Sequence, residues 1–110
     1  IRKYSKRNHK RILMSESAQN PLDSATPEQK RQFLFMMLVQ QHQQIAMVGL
    51  GEEENPATNQ KEKDRSSAQY AIDTLEMLEA MTEGNRTKEM GDYLTSVLSQ
   101  LRLKFASTTF

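Results

Sequence analysis

Five consecutive polar residues, Gln40-Gln41-His42-Gln43-Gln44, interrupt a stretch otherwise rich in Phe, Leu and Met. Gln and His side chains donate and accept hydrogen bonds, and five adjacent positions cover the whole circumference of a helix. At least one of them must therefore face whatever the neighbouring apolar side chains face. Buried polar groups need partners, so Gln41, Gln44 or His42 is expected to hydrogen-bond across an interface and fix its register, as polar residues do in helical assemblies. A solvated helix segment is the plainer alternative and stays open.

Other chemistry finds little support. The two histidines are His9 and His42, Cys is absent, and no Glu-x-x-His or His-Glu-x-x-His pattern occurs, so thiol nucleophiles, Cys-ligated zinc and a His-based metal centre lack their residues. Glu52-Glu53-Glu54 lacks the alternating ligands, central Gly and terminal Glu of a calcium loop and reads as a solvated charge run. Gly49-Leu50-Gly51 follows a helix, whereas phosphate-binding glycines follow a strand and open one. Asp73, Glu76 and Asp92 have the spacing of solvated helix faces. No enzyme activity and no cofactor are expected. Among the methionines, Met77, Met81 and Met90 fit core stripes, while Met36, Met37 and Met47 suit an adaptable contact surface better than a soft-metal site.

These residues must be positioned by helices. Thr26-Pro27-Glu28-Gln29 opens the first, with Thr26 as cap, Pro27 in the first turn and Gln29 closing a capping box. It runs without Gly or Pro to Val48, and Gly49 and Gly51 end it. Its apolar residues form no single stripe: Leu34, Met37, Leu38, Ile45 and Val48 share one broad face, and Phe33, Met36 and Met47 extend onto another. One packing surface cannot hide them all, so part of this helix is expected to meet a partner. After a solvated loop from 51 to about 63, a second helix begins between Asp64 and Ser67 and carries Ala68, Ala71, Ile72, Leu75, Leu78 and Met81 on one stripe. Gly84 stops it. Asn85-Arg86-Thr87, formally a glycosylation sequon, reads instead as the start of a third helix capped by Thr87, with Met90, Leu94, Val97, Leu98, Leu101 and Phe105 on its stripe. The short connection predicts an antiparallel hairpin. The fold class is thus all-α: a long first helix plus a helical hairpin, with one three-helix domain over 27–110 and a flexible N-terminal segment over 1–26.

Within that segment, residues 1–13 hold Arg2, Lys3, Lys6, Arg7, Lys10 and Arg11 and no acid. The remainder has nine basic and fourteen acidic residues, a net charge of −5 that makes it a poor nucleic-acid surface. Met14-Ser15-Glu16 reads as a natural start, so the basic leader is set aside from the fold; if native, it is a candidate for phosphate contacts, and nucleic acid is a partner in that case alone. The longest apolar run, 33–39, is seven residues, far short of the ~18 of a membrane span. With 6% aromatic residues, no Trp and seven Met, the core is aliphatic and soft. A core of this size is marginal alone, and association would help.

Three segments then carry a resemblance: Ala71-Ile72-Asp73-Thr74-Leu75-Glu76-Met77-Leu78, Thr82-Glu83-Gly84-Asn85-Arg86-Thr87, and Leu98-Ser99-Gln100-Leu101-Arg102-Leu103-Lys104-Phe105. Over roughly 33–106 the chain resembles the bacterial domain of unknown function 1844 family. The resemblance implies a small, all-helical bacterial cytoplasmic protein and carries no catalytic residues. The chain departs from that family's small aliphatic first helix in its Gln-His belt and paired methionines. Residues and resemblance together lead to the expectation of a non-enzymatic helical interaction module, a homo-oligomer (a dimer as first guess) or a binder of another protein, in contact through Phe33, Met36, Met37, Gln40, Gln44 and Met47 of helix one. The alternative is a nucleic-acid- or ribosome-associated accessory protein using residues 1–13.

Overall fold

The structure, a computed structural model, describes residues 23–110. The basic leader, Met14 and most of the segment expected to be flexible lie outside the described residues. Three helices follow: α1 (Pro27–Gly49), α2 (Arg65–Met81) and α3 (Lys88–Ser107), with no strand among the described residues. The chain divides between Phe33 and Leu34. Of the first unit, the described part is 23–33, which includes the start of α1; the second, Leu34–Phe110, holds the hydrophobic core.

The helix starts obey their capping residues. At α1 the Thr26 amide donates to Gln29 Oε1 (2.9 Å) and the Gln29 amide donates to Thr26 Oγ1 (3.1 Å), the reciprocal pair of a capping box. Asp64 caps α2, accepting from the Ser67 amide (3.4 Å) and hydroxyl (2.9 Å). Thr87 caps α3, accepting from the Met90 amide (3.1 Å).

The two glycines after α1 do different jobs. Gly51 sits at φ 78°, while the Glu52 amide donates to Met47 O (2.9 Å) and the Gly51 amide to Val48 O (3.0 Å), a Schellman termination that needs a left-handed residue. Gly49 still belongs to the helix, and its role is contact. A Cβ there would lie 2.7 Å from the Ala68 amide nitrogen and 2.9 Å from Asp64 O, and its carbonyl accepts from the Asp64 amide (2.7 Å). The end of α1 thus lies backbone to backbone against the first turn of α2.

The intervening loop is solvated but built. Asn55 accepts from the Ala57 amide through Oδ1 (2.8 Å) and donates to Gln60 O (2.9 Å), with Asn59 left-handed at φ 57°. At the other corner Gly84 (φ 84°) turns the chain, and the Arg86 guanidinium reaches back to Glu79 O and Thr82 Oγ1, satisfying a carbonyl that the end of α2 leaves open.

The core comprises Phe35, Val39, Ala46 and Leu50; Ala68, Ala71, Ile72 and Leu75; and Met90, Leu94, Val97, Leu98 and Leu101. The stripes of α2 and α3 fall largely where their spacing put them, with Leu78 and Phe105 at the margin, but Met77 and Met81, expected in the core, are exposed on the outer side of α2. An ion pair that bridges the hairpin, Arg102 Nη2 to Glu76 Oε2 (2.7 Å), is half in solvent on both sides and contributes under about 1 kcal/mol. The buried leucines dominate the stability.

Two outcomes follow for denaturant midpoints at fixed protein concentration. Leu98→Ala, at a fully buried site, is expected to lose about 2–5 kcal/mol, whereas Leu103→Ala, 74% exposed, stays within about 0.5 kcal/mol. Gly49→Ala, which drives a methyl into backbone, is expected to cost about 2–3 kcal/mol; Gly51→Ala, where the obstructing group is the flexible Lys63 side chain, costs about 1 kcal/mol for its left-handed backbone.

Candidate functional site

Close approach at Gly49 fixes which way α1 faces. Ala46, one turn earlier, is fully buried, and Val39 and Phe35 continue the inward line at steps of seven and four. The face bearing Leu34, Met37, Leu38, Ile45 and Val48 is indeed one face, and it points outward: Leu34 is 55% exposed, Met37 38%, Leu38 37% and Ile45 36%, with Val48 half-buried. Sequence periodicity missed Phe35 and Val39 as the inward residues because α1 is apolar on both sides. The small pair Ala46 and Gly49, three apart, was the available signal, since small residues mark where helices touch most closely.

The residues expected at an interface separate accordingly. Phe33, Met37, Gln40 and Gln44 are exposed, while Met36 and Met47 are partly buried against the chain's own core. Within the polar belt, His42 Nδ1 donates to Leu38 O (2.9 Å), and the ring tilts against Tyr70 at 5.9 Å. Gln44 Nε2 donates to Glu53 Oε1 (2.8 Å). Both are thus engaged inside the chain. Gln41 is the belt residue set in the outward apolar face, one turn from Leu38 on one side and Ile45 on the other.

That face also lacks charge. Residues 32–51 contain no Asp, Glu, Lys or Arg, where the chain's own 26% would place about five in twenty positions. Charge depletion around an apolar, exposed centre is the compositional mark of the middle of a protein interface.

A shallow groove of about 630 Å³ follows the outer side of α2, lined by Arg65, Ser66, Gln69, Tyr70, Asp73, Thr74 and Met77. Its one carboxylate, Asp73, accepts from Gln69 Nε2 (2.8 Å), and the Thr74 hydroxyl donates to Tyr70 O (2.8 Å), so neither stands as a base beside a nucleophile. Arg65 lies 5.5 Å over the Phe105 ring. Glu52 pairs with Lys104 (3.3 Å) while Glu53 takes Gln44, so the acidic triplet does not converge on one point. Lys88 is held above its ordinary pKa by its hydrogen bond to Asp92 and by that carboxylate's charge, on the open surface. Among the described residues no three His, Cys, Asp or Glu side chains gather as metal ligands, and no helix is long and apolar enough to cross a membrane.

No curated protein and no solved structure matches the chain. The family model described as Domain of unknown function (DUF1844) matches residues 32–107, well over half of the sequence, from the charge-free part of α1 through the hairpin to the last turn of α3. The chain therefore belongs to the domain of unknown function 1844 family.

Proposed function

We propose that the protein is a non-enzymatic helical interaction module that self-associates through the outward face of α1. The observation that carries this reading is the coincidence of exposure, apolarity and absence of charge at Leu34, Met37, Leu38 and Ile45. Removing such a patch from water is favourable at roughly 25 cal/mol per Å². Leaving it in water has no structural reason, because the core of residues 34–110 is already complete on the other side of the helix. The reading takes the protein as bacterial and cytoplasmic, supported by the family resemblance and by a cysteine-free sequence that suits a reducing compartment.

The six basic residues of 1–13 support a second reading, an accessory protein that holds nucleic acid electrostatically. Under it, deleting residues 1–13 abolishes binding that weakens steeply with salt; equal binding by the shortened chain removes the reading.

Light scattering on the full chain at micromolar concentration tests the first reading. The expected particle is a multiple of the chain mass. Leu38→Lys and Ile45→Lys each place an ammonium group in the face without entering the core and are expected to weaken association at least roughly tenfold while leaving the helical circular dichroism unchanged. A monomer throughout the micromolar range overturns the proposal.

A further inference from the structure

The outward face of α1 has an internal symmetry about Gln41. Seven residues before it stands Leu34 and seven after it Val48; four before stands Met37 and four after Ile45. Three away on either side are Leu38 and Gln44, the latter turned to Glu53. About a two-fold axis residues equally far on either side of one position meet one another across the interface, so apart from Leu38 and Gln44 this pattern sets apolar against apolar. Resting on the self-association proposed above, we infer that two copies cross antiparallel along α1, with the two-fold axis passing at Gln41.

Three observations choose this arrangement over a parallel one. First, charge flanks the neutral stretch with opposite signs: Lys30 and Arg31 precede it and Glu52, Glu53 and Glu54 follow it. Antiparallel pairing sets the basic flank of one copy beside the acidic flank of the other, whereas parallel pairing sets like charges together. Second, the C-terminal end of α1 is crowded, since Gly49 lies against Ala68 and Asp64 of its own chain. Parallel copies would bring both crowded ends to one place, and antiparallel copies keep them about 24 Å apart, the rise of sixteen helical residues. Third, Gln41 is the belt residue on this face that no neighbour in its own chain is shown to hold, and a primary amide both donates and accepts. Two of them related by a two-fold axis form a reciprocal pair. Such a pair stabilises one register, because sliding either helix by a turn buries an amide against a methyl group.

The protein has no cysteine, so single substitutions report the geometry directly. A disulfide needs Cα atoms roughly 4.4–6.8 Å apart. Under mild oxidation of the full chain, Gln41→Cys is expected to link to its own copy, whereas Leu34→Cys, with its two copies about 21 Å apart, is not. A mixture of Met37→Cys and Ile45→Cys is expected to give the mixed dimer, while either alone, about 12 Å from its copy, does not. Self-linking of Leu34→Cys as readily as Gln41→Cys, without the mixed product, would mean a parallel pair; the antiparallel geometry would then be wrong and self-association would stand. Failure of every variant to link, with the unsubstituted protein a monomer by light scattering, overturns both. All four positions are exposed, and circular dichroism of each variant confirms that the fold is intact.

Discussion

One contact orders the rest of this structure: the backbone of Gly49 against the backbone of Ala68 and Asp64. At that spacing no side chain fits between the helices, so α1 and α2 meet in one way. The Asp64 amide bonds to the carbonyl of Gly49, so the residue that caps α2 also ties it to α1. Once this end is held, the rotation of α1 about its axis is set. Phe35, Val39 and Ala46 go inward and Leu34, Met37, Leu38 and Ile45 go outward. The outward apolar face therefore results from where two small residues stand, and the neighbouring side chains follow.

The helix boundaries were legible because their determinants are local. Thr26, Asp64 and Thr87 each satisfy the amide three residues on, and Gly51 and Gly84 supply the left-handed turns that follow. The stripes of α2 and α3 were legible because those helices are polar on the opposite side, which leaves one way to hide them. Helix α1 offered no such contrast. Its facing depends on a backbone approach between residues nineteen positions apart, which periodicity does not register. Arg86 was missed for a similar reason: nothing in Gly-Asn-Arg-Thr says that the guanidinium turns back to Glu79 and Thr82 rather than out to water.

The polar belt shows how context divides a run of similar residues. His42 is drawn to a carbonyl of its own helix and a neighbouring ring, Gln44 to an acid in the following loop, and Gln41 is left among leucine, methionine and isoleucine. Five residues that looked like one feature are at least three, distinguished by about 100° of helix rotation per residue.

The end of the chain from Lys104 onward also has a bearing on how the core is closed. Lys104 reaches Glu52, Lys63 reaches the carbonyl of Thr109, and Arg65 lies over Phe105, so the corner between α1 and α2 is closed by residues synthesised some forty to fifty positions later. The apolar stripe of α2, met by α1 at Ala68, is covered further by α3, which brings Leu94, Leu98 and Leu101 into the same core. Without α3, most of that stripe would lie open beside the outward face of α1. Closure of the core therefore depends on α3, the last of the three helices along the chain.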